Sequence, residues 1–150
     1  MRLCSACLLG VKSRYDGKSN LEKASEKLIQ EFKDGNIIPV CLEQLGGLPT
    51  PRIPSEIRGM SGEYVLDGDC KVLNKKGEDV TQQFIEGAYE VLKIAQLLGI
   101  KEFIGVPKNP SCGCGKIYDG TFTGTLINGD GVTTALLKRN GINVITEQDL

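Results

Sequence analysis

Six cysteines (Cys4, Cys7, Cys41, Cys70, Cys112 and Cys114) and no histidine set the chemistry open to this chain of 150 residues. The missing imidazole excludes Ser-His-Asp and Cys-His nucleophilic arrangements. It also excludes every histidine-ligated metal site, and with them most catalytic zinc sites. Acid–base work falls to Asp, Glu, Lys, Tyr, Cys or Ser, and a soft metal has to be held by thiolates. An even cysteine count fits three disulfides in a secreted chain. Residues 1–10 (MRLCSACLLG), however, carry neither a long apolar run nor a small-residue cleavage site. The expected compartment is therefore the cytoplasm, where thiols stay reduced and serve as core packing or as ligands.

The elements that must position these thiols show as apolar runs and helical periodicities. Arg2–Leu9 reads as a buried strand, and Ile37–Leu42 as a second whose Pro39 suits an edge position. Glu102–Val106 reads as a third and Ile142–Thr146 as the last. One helix is expected from a cap at Asn20 through Leu21, Ala24, Leu28, Ile29 and Phe32 to Gly35. A second runs from Asp79 or Thr81 along the stripe Phe84, Ile85, Ala88, Val91, Leu92, Ala95 and Leu98 to Gly99. A third runs from Asp130 through Val132, Ala135, Leu136 and Leu137 to Gly141. Glu43–Gly62 is expected to be a long irregular loop, Glu63–Cys70 with Lys71–Asn74 a hairpin excursion, and residues 107–124 a glycine-rich loop.

This alternation predicts an α/β single domain over residues 1–150, with a mostly parallel open sheet of about four strands, helices on both faces and a small β-hairpin excursion. Ligands bind such sheets beyond the carboxyl ends of the strands. Cys7 falls near the end of the first predicted strand, Cys41 at the end of the second, and Cys112 in the loop after the third. All three converge on one rim although they are far apart in sequence.

Three thiolates at one rim, with no histidine, point to a soft metal or an iron–sulfur cluster. A structural zinc would want four cysteines, whereas a four-iron cluster held by three leaves one iron open to substrate. The competing reading makes all six cysteines structural thiols. Cys4 and Cys7, three apart on a strand, face opposite sides and are not expected to chelate together. Cys114 is either a further ligand or a spare thiol, and Cys70 is expected to be structural. Glu43 is a candidate proton-transfer group, or else a loop acid paired with Arg52. Ser111 is a candidate hydrogen-bond donor to substrate or cluster, or else a turn serine after Pro110. Ser5, Asp16 and Arg52 are candidates to line the same rim, Asp16 alternatively belonging to the Asp16-Gly17 turn. The helix start at Gly129-Asp130-Gly131 reads as capping, with anion binding as the alternative.

A net charge of −1 leaves no basic excess for a phosphate backbone, and aromatics at 5% offer no base-stacking platform, so nucleic acid is not an expected partner. No apolar stretch approaches the roughly 18 residues of a membrane span.

The motifs themselves carry more. Ser5-Ala6-Cys7-Leu8-Leu9-Gly10 is followed by Arg14-Tyr15-Asp16-Gly17. Pro39-Val40-Cys41-Leu42-Glu43 precedes Gly46-Gly47-Leu48 and Pro51-Arg52. Pro110-Ser111-Cys112-Gly113 leads through Gly115 to Ile117-Tyr118-Asp119-Gly120 and Phe122, and Gly129-Asp130-Gly131-Val132-Thr133 closes the series. In this order, over nearly the whole chain, they resemble the TudS-like thiouracil desulfidase family. The resemblance implies a [4Fe-4S] cluster ligated by Cys7, Cys41 and Cys112, with one iron open to the sulfur of a thiocarbonyl. It implies a non-redox reaction on a small thiolated base or nucleoside, in which water attacks the carbon and sulfide leaves on the iron. Glu43 and Ser111 match the family's acid after the second cysteine and serine before the third. Leu42 stands where the family has proline, and Asn109 where it has serine; both bear on substrate choice rather than on ligation. Cys4 and Cys114 are additional to the pattern. From a different class, the alternative is a non-catalytic iron–sulfur, metal or sulfur carrier.

Overall fold

In chain order, the computed structural model describes residues 1–150 as β1 (Arg2–Ser5), α1 (Glu26–Lys33), β2 (Ile37–Val40), α2 (Leu42–Leu45), β3 (Ser55–Ile57), α3 (Gly62–Leu66), β4 (Val72–Asn74), α4 (Thr81–Leu98), β5 (Glu102–Gly105), β6 (Lys116–Tyr118), β7 (Leu126–Asn128), α5 (Val132–Arg139) and β8 (Asn143–Thr146). β1, β2, β5 and β8 form one sheet in the order β2-β1-β5-β8, with every pairing parallel. Pro39 sits on the edge strand β2, where a missing N–H costs no interior ladder bond.

Side chains alternate across this sheet and explain why both faces are covered. Leu3 and Phe103 join the larger core with Val91, Ala95 and Leu137 of α4 and α5. Their neighbours Cys4 and Ile104 face the other way, into a smaller core with Leu28 of α1, Leu8 and Leu9. Leu3, Phe103, Leu28 and Leu137 are fully buried, and such side chains contribute about 1.5–3 kcal/mol each by leaving water. The expected α/β architecture is present, with all four sheet strands parallel.

Several boundaries differ from the expectation, each for a local reason. The first strand stops at Ser5, and Ala6–Leu9 form a 3₁₀ turn. Leu8 and Leu9 are apolar because the turn tucks into the smaller core, not because the strand continues. The first helix begins at Glu26, capped by the Ser25 hydroxyl accepting from the Leu28 N–H; residues 21–23 are a separate 3₁₀ turn. The second strand ends at Val40, and Leu42 already opens α2. The stretch 43–62 therefore holds most of α2 as well as β3. Residues 63–74 are not a hairpin on their own: α3 intervenes, and β4 pairs antiparallel with β3. The glycine-rich stretch after β5 contains β6, which pairs antiparallel with β7. Val80, not Asp79 or Thr81, is the N-cap residue of α4, with Asp79 accepting from the Thr81 N–H. Gly131, not Asp130, is the N-cap residue of α5; Asp130 instead accepts from the Gly115 N–H and pairs with Lys138.

α2 carries Glu43, and its seat on α4 depends on two glycines. A Cβ at Gly46 would lie 2.0 Å from the Gln83 carbonyl oxygen, and one at Gly87 would lie 2.2 Å from that of Leu42. Alanine at position 87 improves helix propensity by about 1 kcal/mol, yet overpacking a backbone contact costs about 1–3 kcal/mol. Gly87→Ala is expected to lower the urea midpoint at unchanged m-value; a raised midpoint would show that the helices yield.

Candidate active site

The chain leaves β1 for β2 on one side, then returns to lay β5 on the other, so the direction of winding reverses at β1. Crevices of open α/β sheets form at such a reversal, beyond the strand C-termini. Cys7 lies in the turn following β1, Cys41 between β2 and α2, and Cys112 in the loop after β5. These three thiols line one cavity of about 460 Å³, together with Glu43, Ser5 and Arg52. That volume is ordinary for a small-molecule or cofactor site.

The Cys112 loop is set by two devices. The Asn109 side-chain oxygen accepts from the backbone N–H groups of Ser111 (2.7 Å) and Cys112 (3.2 Å). The carbonyls of Pro110 and Ser111 accept from the N–H groups of Val132, Thr133 and Thr134 at the start of α5. Those helix N–H groups, otherwise unpartnered, are taken up by the loop, which leaves plain capping rather than anion binding at this helix start. Gly131 permits the approach, since a Cβ there would lie 2.4 Å from the Ser111 oxygen.

Each thiol has its own surroundings. Cys112, 2% exposed, receives the Val106 N–H at 3.2 Å and has the Ser5 hydroxyl at 3.4 Å. Cys7 receives the Asn20 side-chain amide at 3.3 Å. Cys41 donates toward Ser13 oxygen at 3.6 Å and Glu43 at 3.7 Å. Burial pushes all three thiols above their ordinary range, and the Glu43 carboxylate adds to the upward shift of each. The three thiols are therefore held in their protonated form at neutral pH, and binding of a cation or cluster would be coupled to loss of those protons. Cys4 is fully buried in the smaller core, with its thiol pushed up to about 12 by burial.

Glu43 is 9% exposed. Its partner is Arg52, at 3.6 Å, and the Arg52 guanidinium also donates to the Ser13 carbonyl and the Thr50 hydroxyl. The expected Glu43–Arg52 pair is thus present, but buried at the cavity wall rather than in an exposed loop. The structure does not bring Ser111 or Asp16 to the cavity lining. The Ser111 hydroxyl is 2.9 Å from that of Thr133, and Asp16 is exposed, holding Arg14 and the Lys18 N–H. Asn20, read in sequence as a helix cap, instead spends its side chain on Cys7 and Arg14. No sequence signal separates those two uses of an asparagine.

No three Cys, Asp or Glu side chains stand close enough together to share a single metal ion. Three thiolates that each hold a different iron of a cluster need not meet at a point, and the N–H donors aimed at the Cys7 and Cys112 sulfurs suit anionic thiolates. The donor set fits a cluster ligated by three cysteines.

Three thiols and a buried carboxylate at the switch point place the chain among open-sheet α/β proteins with a ligand crevice beyond the strand ends. The chain belongs to the 2-thiouracil desulfurase family, whose sequence model matches residues 3–149. It is 45% identical over 150 residues to YbbK of Bacillus subtilis (strain 168), an uncharacterized protein, with 100% of this chain and 97% of that one covered. A solved structure of a [4Fe-4S]-dependent thiouracil desulfidase, TudS, superposes with a TM-score of 0.88 at 40% identity, covering 99% of this chain and 91% of that one. No helix is long and apolar enough to cross a membrane.

Proposed function

We propose that this chain is an iron–sulfur-dependent desulfidase that converts the C=S group of a thiouracil-like base to C=O and releases sulfide. The observation that carries the reading is the convergence of Cys7, Cys41, Cys112 and the buried Glu43 on one cavity. Family membership and the likeness to TudS support it. Cys7, Cys41 and Cys112 would hold a [4Fe-4S] cluster. When bound, the cluster supplies a soft Lewis-acidic iron, left open by the three-cysteine ligation, for the thiocarbonyl sulfur.

The chain's own residues do the rest. Asn20, Ser5 and the Val106 N–H direct donors at the thiolate sulfurs and hold them in place. Glu43 takes a proton from the water that attacks the thiocarbonyl carbon, and returns it as the C–S bond breaks. Arg52 pairs with that carboxylate and orients it. Ser111 contributes through its backbone, which docks the Cys112 loop on α5. Balance requires one water per C=S, with its oxygen kept in the product and its hydrogens leaving with sulfide, so no reductant is consumed. A passive carrier has no use for a buried acid facing three thiols, which favours the enzyme.

Anaerobically reconstituted protein is expected to convert 2-thiouracil to uracil with equal sulfide and no added reductant, read by loss of thiocarbonyl absorbance and by sulfide assay. Intact 2-thiouracil after incubation with protein that carries a full cluster would rule out the desulfidase reading and leave a carrier.

A further inference from the structure

The β6–β7 hairpin tip carries Phe122 with a φ of 58°, in the left-handed region. A phenylalanine adopts that conformation at a steric cost and keeps it only where surrounding contacts enforce it. Here the enforcing group is Glu56 of β3, 9% exposed. Its Oε1 accepts from the Gly120 N–H at 3.0 Å and from the Phe122 N–H at 3.2 Å. The tip is also pressed against β3: a Cβ at Gly120 would lie 2.6 Å from the Ile57 carbonyl oxygen. The Gly59 N–H bonds the Asp119 carbonyl beside it. No Lys or Arg pairs with Glu56, so its buried carboxylate is compensated by those N–H groups. Phe122 lines the same cavity as the three thiols, and so does Glu56. Strain held by a buried carboxylate at the wall of a binding cavity marks a side chain whose placement matters to the ligand.

We infer that Phe122, fixed by Glu56, is the aromatic wall against which the planar ring of the substrate stacks. This rests on the desulfidase reading for the identity of the ring. Phe122 is the specificity-determining residue, and Glu56 is a positioning residue that acts through it. Removing a base-stacking aromatic typically weakens binding by about tenfold or more.

Two measurements on cluster-loaded protein test this. In turnover, Phe122→Ala is expected to raise KM for 2-thiouracil about tenfold with kcat within about twofold, while Phe122→Tyr keeps both; an unchanged KM in Phe122→Ala overturns the inference. In binding, the chain has no tryptophan, so Phe122→Trp places a sole reporter at the wall. Uracil is expected to quench its emission saturably, but not that of Tyr89→Trp, at an exposed position on α4. Adding Glu56→Ala is expected to weaken that quenching constant severalfold, and Glu56→Gln, which keeps the acceptor oxygen, to restore it. No quenching in Phe122→Trp, or equal constants in all three backgrounds, overturns the inference. Quenching by uracil in protein that releases no sulfide would sink the desulfidase reading and leave the ring wall standing. Sulfide release with an unmoved KM in Phe122→Ala would do the reverse.

Discussion

Replacing Cys7, Cys41 or Cys112 by serine, one at a time, is expected to lower bound iron and acid-labile sulfide to near background and to abolish sulfide release, while Cys114→Ser leaves both intact. The three are the cysteines that line the cavity. Cys4 is sealed in the smaller core, and the Cys114 sulfur lies 3.6 Å from the Val144 carbonyl, packed against the larger core. A serine oxygen is a hard ligand with a far higher pKa than a thiol, so it is a poor substitute on iron. Changes to outer-shell partners alone cost about 10–100-fold in metal affinity or activity, and loss of a direct ligand at a three-cysteine site is expected to exceed about a hundredfold. Iron and sulfide per chain after anaerobic reconstitution decide the point, with near four of each as the intact value implied by a [4Fe-4S] cluster. If Cys114→Ser empties the site and Cys112→Ser does not, the third ligand has been misassigned. Stoichiometric zinc without labile sulfide would remove the cluster from the account.

The sequence carried the placement of these thiols further than the placement of their helpers. The α4 stripe and its Gly99 stop were legible because Phe84, Ala88, Val91, Leu92 and Ala95 recur buried on one helical face; Leu98, read into the same stripe, lies exposed at the helix end. β5 and β8 were legible to within a residue because central and edge parallel strands show as short apolar runs. Once strand ends are known, the rule for ligand sites on open sheets puts Cys7, Cys41 and Cys112 together. The misreadings share a cause. Ala6–Leu9 is apolar because a 3₁₀ turn packs under the sheet, and period alone cannot tell that from a longer strand. β6 buries only Ile117, and β7 buries no residue fully, so neither carries an alternation strong enough to read. The pairing of β3 with β4 spans α3, and no local turn announces it. Ser111 illustrates the limit at the site: its motif position is next to Cys112, but the docking of its loop on α5 turns the hydroxyl to Thr133. Asn109, which departs from the family pattern, orders that same loop through its side chain.

Glu43→Gln is expected to lower kcat for sulfide release by about 10²–10⁴-fold, the usual worth of a positioned proton-transfer group, while iron and labile sulfide stay at the wild-type level or rise. The two readouts move apart because Glu43 acts on them with opposite sign. Its negative charge raises the thiols of Cys7, Cys41 and Cys112, so a neutral amide makes all three easier to deprotonate and eases cluster binding. In the proposed reaction the same charge accepts the proton of the attacking water, which glutamine cannot do. A merely structural role would lower both readouts together. Gln is preferred to Ala because Arg52 is nearly buried beside Glu43. Breaking a buried pair costs stability, but here the guanidinium retains the Ser13 carbonyl and the Thr50 hydroxyl as acceptors, and the amide oxygen remains available as a third. With histidine absent from the chain and Ser111 turned away, only Glu43 and Glu56 bring carboxylates to this cavity, and Glu56 is committed to the Phe122 loop. Sulfide release within about twofold of wild type in Glu43→Gln would therefore move proton transfer off the cavity's carboxylates and onto its Lys and Tyr side chains, solvent or the substrate ring itself.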